Sequence, residues 1–227
     1  DVVGGIPWIE YTDADIAEHV RFCFALAREY NKPVSMLVDD AGDPGLRSIE
    51  VMALETIKTG WQGRSLAHHA RAMSMYPKPY LQKLAALLKK AQMGVVSDPH
   101  TGPLHARVRE LLEENVLVCL GQDDISDAYY PYGRNNMLEV AFLNSHLLWF
   151  TTRDDMETLY NMVTKNAAQC IGIKDHEIKV GAPANFVVLD QPNVLEALRF
   201  HEKPVYVISH GKLVDQAAMD KIYEENK

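Results

Sequence analysis

The stretch that decides the reading is Val116–Gly133, VLVCLGQDDISDAYYPYG. Val116 to Leu120 are apolar or small, Gly121 ends the run, and Gln122, Asp123, Asp124, Ser126 and Asp127 crowd in behind it. A short apolar run closed by a turn signal predicts a fully buried strand. In parallel α/β folds the catalytic side chains sit just past the carboxyl ends of such strands. Adjacent carboxylates repel unless a positive group holds them, and a divalent metal ion is the simplest such group. The same residues also fit a plain acidic loop capping a helix that begins near Asn135, because Asp favours turns and N-caps.

Upstream, the strand-then-polar-end unit recurs. VVGGIPWIE reads as a strand entering a Gly-Pro turn, after which Thr12 and Asp13 cap a helix to about Tyr30, with Ile16, Val20, Cys23 and Ala27 on one face. Pro33 to Val38 is a strand closing on Asp39 and Asp40, followed by a helix from about Gly45 to Thr59. Arg64 to Ala67 closes on His68 and His69, ahead of a helix from Pro79 to Gln92. Met93 to Ser97 closes on Asp98 and His100, and Pro103 opens a helix that runs to Asn115. Strand and helix alternate, which predicts a parallel sheet of βαβ units. On a parallel barrel these strand ends meet at one mouth, so histidines and carboxylates distant in sequence become neighbours able to hold a hydrolytic metal. Side chains alternate along a strand, so at most one of His68 and His69 faces that mouth. Asp98, preceding Pro99, serves equally as a turn former. The six remaining histidines fall on helices or turns away from the strand ends and read as structural.

Downstream, two helices, about Asn136 to Phe150 and Asp154 to Ile171, follow without an intervening strand. From Gly172 the character changes to short strands, Phe186 to Leu189 and Val205 to Ser209, joined by Gly and Pro turns. The chain therefore divides into a βα-repeat region (1–172), a small β module (173–214) too short to fold by itself, and a polar tail (215–227).

Bulk properties bound the function. A net charge of −8 with scattered basic residues argues against nucleic-acid or anionic-membrane partners. The three cysteines lie in apolar contexts with no CxxC pairing, which places the chain in a reducing, cytoplasmic setting. No apolar run reaches the roughly 20 residues of a membrane span, and no signal peptide opens the chain. Asp1 to Gly5 already reads as a strand, a start that points to missing sequence.

DVVGGIPWIE, RSLAHHARAM, CLGQDDISDAYYPYG followed by NML, and VGAPANFVVLD together resemble the cytosine deaminase and N-isopropylammelide amidohydrolase branch of the metal-dependent amidohydrolase superfamily. The resemblance runs in order from Asp1 to about Val214. It implies a TIM-type (β/α)₈ barrel, of which only the later strands, four to eight, are in this chain, plus part of a small β-sandwich. The family's His-x-His metal pair is absent, so the resemblance implies an amino-terminal segment or companion chain. Five strands also leave two open sheet edges, a feature compatible with a homo-oligomer.

What the resemblance implies for the site is specific. His69 and Asp123 would bind one divalent metal ion, Zn or Fe, with Asp123 accepting a proton from water. Asp40 would relay protons in place of a family Glu, Asp124 would contact substrate, and Tyr129 would stack on its ring, with Trp8 nearby. The substrate would be a small nitrogen heterocycle, such as a cytosine-like pyrimidine or a triazine, losing a C–N bond by hydrolysis. Leu37 stands where the family has a metal-binding histidine, and Asp39 follows on the same side of the strand by simple alternation. Leu37 keeps a second reading alive: a non-catalytic binding or assembly module on the same fold.

Overall fold

Five parallel strands stand side by side in chain order: β1 (Val3–Gly5), β2 (Val34–Val38), β3 (Ser65–His69), β4 (Gly94–Ser97) and β5 (Val118–Leu120). Four helices connect them: α1 (Asp13–Glu29), α2 (Ser48–Thr59), α3 (Lys78–Ala91) and α4 (Val108–Glu113). Sequential order with right-handed crossovers puts every connecting helix on one face of the sheet. That is the arrangement of a barrel wall rather than of a doubly wound sheet. This computed structural model describes residues 1–125 and 127–225. Ser126 and the last two residues of the polar tail lie outside the described residues.

Register separates the two faces of the wall. Met36, Ala67, Val95 and Val118 turn to the helices and are completely buried. Ser35, Leu37, Leu66 and His68 share the other face, and Leu37 keeps 37% of its surface exposed. The helices meet the first face with the stripes that their periodicity predicts. On α3, Leu81, Leu84, Ala85, Leu88 and Ala91 are all buried, and a wholly buried Leu contributes roughly 1.5–3 kcal/mol. On α1, Thr12 Oγ1 accepts from the Asp15 amide, the cap expected there. At the end of β5 a Cβ on Gly121 would meet Val96 Cγ1 at 2.8 Å, so glycine is needed for the close approach that lets its amide donate to Ser97.

Three local expectations are corrected. The fourth helix does not start at Pro103. Ser74 Oγ donates to the His105 carbonyl and accepts its amide, which holds that backbone out of helical geometry until Val108. The helix expected from Asp154 to Ile171 is two, α6 (Arg153–Val163) and α7 (Lys165–Cys170), following α5 (Met137–Leu147). Thr164 breaks it at φ −126° and ψ −90°, and Asn166 then ties α7 to the sheet through the Val118 carbonyl at 2.9 Å. Finally, Asp39 does not continue the alternation of β2, because its φ of 49° turns the side chain back toward the helices.

Beyond α7 lies an antiparallel sheet of β6 (Phe186–Val188), β7 (Tyr206–Ser209) and β8 (Lys212–Leu213). Strand β6 is exposed along its whole length. Between β6 and β7 the chain forms a helix that periodicity did not reveal, α8 (Val194–Phe200), which packs on α5 and α6 and buries Leu198 in the main core. Asn136 Nδ2 donates to the His201 carbonyl just beyond it. A last helix, α9 (Gln216–Glu225), occupies the tail. Among the described residues no helix is long and apolar enough to cross a membrane.

Candidate metal centre and active site

The carboxyl ends of β2 to β5 converge on one cluster of charge. His69 is the last residue of β3, and its φ of 66° swings the ring off the strand's alternation toward the rim. Its Nδ1 lies 3.0 Å from Oδ2 of Asp98, the residue that follows β4. His68, by contrast, faces the inner sheet surface, where its Nε2 meets Ser35 Oγ at 2.6 Å. Beyond β5, Asp123 also takes a positive φ, 63°. One ligand atom each from His69, Asp98 and Asp123 lie within 4.8 Å of one another.

Arg71 threads the cluster from the turn after β3. Its Nη2 lies 3.2 Å from Asp98 Oδ2, 3.8 Å from Asp123 Oδ2 and 2.7 Å from Thr101 Oγ1. Nη1 donates to the Tyr129 hydroxyl at 3.4 Å, and Nε sits 3.1 Å from Asp40 Oδ1 at an angle too poor for a hydrogen bond. Only 12% of the side chain is exposed. Three carboxylates thus face a single guanidinium, and two negative charges stay uncompensated while the imidazole is neutral.

The titration of these groups records that imbalance. Burial, and then the Asp98 carboxylate, push Asp123 up to about 6. Burial lifts Asp40 above the usual carboxylate range as well. Asp98 is also buried, yet the His69 hydrogen bond and charge, Thr101 and Arg71 outweigh that and hold it well below the ordinary value. Burial works to lower His69, but Asp98, Asp40 and Asp123 together raise it. The surrounding carboxylates favour the protonated form of His69, and the Asp98 charge likewise favours a proton on Asp123.

The donor set suits a divalent ion: one imidazole and two carboxylates within 4.8 Å of one another, with negative charge left over. Three protein ligands are the number found in catalytic sites, where water takes the fourth position, rather than in structural ones. Leu37 adds no ligand. Several buried polar atoms next to the strand ends have no hydrogen-bond partner among the described residues: Trp8 Nε1, Asp40 Oδ1, Ser97 Oγ, His100 Nδ1 and Gln122 Oε1. Buried groups without a hydrogen bond are costly, and several of them follow strand ends, as the candidate ligands do. A cavity of about 540 Å³ at the opposite end of the strands, lined by Val2, Pro33, Ser35, Leu66 and Lys174, has no comparable polar convergence.

Of the residues expected from sequence, His69, Asp123 and Asp40 all reach the cluster through direct contacts or Arg71. Tyr129 touches Arg71 while its ring is mostly exposed, and Trp8 sits half-buried in the turn after β1. Asp124 lies in the same loop as Asp123, its carboxyl raised by partial burial and by neighbouring Asp127. Asp39 is no ligand: its carboxylate accepts from the Ser48 amide and hydroxyl, the Ile49 amide and the Tyr76 hydroxyl. Sequence reasoning passed over Arg71 and undervalued Asp98. Their signal was positional, a cation two residues past a strand-closing histidine and an Asp closing the next strand.

The same architecture recurs in known proteins. A 5-methylcytosine deaminase from Klebsiella pneumoniae superposes with a TM-score of 0.89 at 33% identity, over 94% of this chain and 56% of that one. An N-isopropylammelide isopropylaminohydrolase from Burkholderia multivorans superposes with a TM-score of 0.87 at 26% identity, over 94% and 55%. The N-isopropylammelide isopropyl amidohydrolase of Pseudomonas sp. (strain ADP) is 29% identical over 215 residues, which is 94% of this chain and 53% of that protein. The chain spans about half the length of these relatives. The profile of the Amidohydrolase family matches residues 1–215, nearly the whole chain including the rim and the small sheet, and the chain belongs to that family.

Proposed function

We propose that this chain supplies the later barrel strands of a metal-dependent hydrolase that breaks a C–N bond in a small nitrogen heterocycle, such as a pyrimidine or triazine. The observation that carries the reading is the convergence of His69, Asp98 and Asp123 within 4.8 Å at the ends of three successive strands. His69, Asp98 and Asp123 would hold one divalent ion, Zn or Fe. When bound, such an ion lowers the pKa of water toward about 7.

The chain's own residues account for the remaining work. Asp123 is the base that takes a proton from the attacking water. Asp40, within reach of the cluster through Arg71, hands a proton to the departing nitrogen, and burial keeps its carboxyl ready to carry one. His69 is oriented for its place in the centre by the contact of its Nδ1 with Asp98 Oδ2. Tyr129 and Trp8 offer aromatic faces to the ring, and Asp124 accepts from its exocyclic groups. The relatives named for 5-methylcytosine and N-isopropylammelide support this substrate class.

Leu37 favours a second reading, a binding module without metal. Metal analysis of the intact protein separates the two. A hydrolase takes up about one equivalent of a divalent ion, retained through purification or bound when Zn, Fe or Mn is added, and loses turnover on 5-methylcytosine or N-isopropylammelide when it is stripped. Less than about a tenth of an equivalent, with no activity restored by Zn, Fe or Mn, establishes the binding module instead.

A further inference from the structure

In the hydrolytic reading Arg71 serves only as the link between Asp40 and the cluster, although it contacts the proposed metal ligands themselves. Its position is built rather than incidental. The Ala70 amide donates to the Val38 carbonyl and the Ala72 amide to the Asp39 carbonyl, both at 3.0 Å, which clamps the turn on either side of Arg71 to the end of β2. From there the guanidinium reaches groups following three strands: Asp40 after β2, Asp98 and Thr101 after β4, and Asp123 and Tyr129 after β5. Two of its carboxylates, Asp98 and Asp123, are the oxygen ligands that a divalent ion needs.

We propose that Arg71 is a resident counter-cation that competes with the divalent ion for Asp98 and Asp123, so that this centre holds its ion weakly and exchangeably. The inference rests on the metal-dependent reading above. The guanidinium lies within 3.8 Å of carboxylate oxygens of both Asp98 and Asp123, so a divalent ion held by those residues would be repelled by it. The guanidinium also donates to Asp98 Oδ2 and so occupies a lone pair that the ion would otherwise take. Three carboxylates balance a guanidinium plus a divalent ion, so both cations fit at once, but each weakens the other's hold. Leu37, which adds no ligand, leaves nothing on β2 to offset the loss.

Zinc binding by the intact protein, followed by calorimetric titration, tests this without reference to turnover. Arg71→Gln keeps hydrogen-bonding capacity and removes the charge; it should bind zinc at least about tenfold more tightly than wild type. Arg71→Met repeats the test without hydrogen bonding, so one misfolded variant leaves the question decidable by the other, with circular dichroism reporting the fold. Arg71→Lys keeps a cation and should stay within about threefold of wild type. Adding Asp123→Asn to Arg71→Gln should abolish the gain. Zinc bound equally or less tightly by the folded Arg71→Gln or Arg71→Met protein, while wild-type binding still depends on Asp123, overturns the role of Arg71 alone. Zinc binding that is indifferent to Asp123→Asn in every background overturns the metal centre itself and this inference with it.

Discussion

Asp39 and Asp40 are neighbours in sequence and serve opposite ends. Asp39 is completely buried, and its carboxylate caps α2 through the Ser48 and Ile49 amides, with the Ser48 and Tyr76 hydroxyls completing its shell. The single Tyr76 hydroxyl proton is shared between Asp39 and the Leu46 carbonyl. Every partner in that cluster is neutral and every contact is local to the fold. Asp40 belongs to the rim, where His69, Arg71, Asp98 and Asp123 meet through charge and where buried polar atoms remain unpaired. A carboxylate whose needs are met by neutral donors is holding structure together. One whose environment is unbalanced is waiting for a ligand.

Substitutions that interchange these roles are the way to break the comparison. The largest effect is expected at Asp123→Asn, which removes the base and one ligand. Turnover on whichever heterocycle is accepted should fall at least about a thousandfold, equivalent to about 4 kcal/mol, while the melting temperature shifts by only a few degrees. Undiminished turnover would end the assignment of the rim as the catalytic centre.

Asp39→Ala should do the reverse. Losing the cap and leaving the Ser48 hydroxyl and the Ser48 and Ile49 amides without their acceptor costs about 3–4 kcal/mol in urea unfolding. Metal content of the protein that remains folded should be unchanged. A loss of bound metal without a loss of stability would mean that the two clusters are not separate.

Acid provides a third probe. Burial lowers His68 to about 4 from its ordinary 6.5, so between those values the unfolded chain binds more protons than the folded one. The associated stability is fully present above pH 6.5 and is lost as pH falls through about 4. It amounts to roughly 2–3 kcal/mol after allowance for partial exposure. Denaturant midpoints across that range, compared between wild type and His68→Gln, should diverge; parallel curves would remove His68 as their source.

The smallest expected effect sharpens the boundary between the inner sheet face and the rim. Leu37 pairs in register with His68 on that face. Leu37→His adds an imidazole there and should tighten zinc binding about tenfold, or about 1.4 kcal/mol. No change would show that the inner face does not take part in holding the ion.

What the sequence determined by itself was the repeating scheme and the residues that end each strand. Apolar runs and helical stripes are short-range patterns, and burial enforces them strongly: Leu84, Leu88 and Val95 are buried as their spacing requires. Where a nearby side chain takes over the backbone's hydrogen bonds, the pattern misleads, as at the start of α4, where Ser74 holds His105. His69 and Asp123 could be chosen from sequence because one closes a strand, the other follows one, and each matches a family motif. Only the tertiary structure decided that Asp98 joins them, that Asp39 turns away and that Arg71 reaches groups following three strands. Those outcomes depend on left-handed backbone at Asp39, His69 and Asp123 and on contacts between residues some 25 to 60 positions apart. Periodicity carries no information about either, because a single positive φ redirects a side chain without altering the pattern of apolar residues around it.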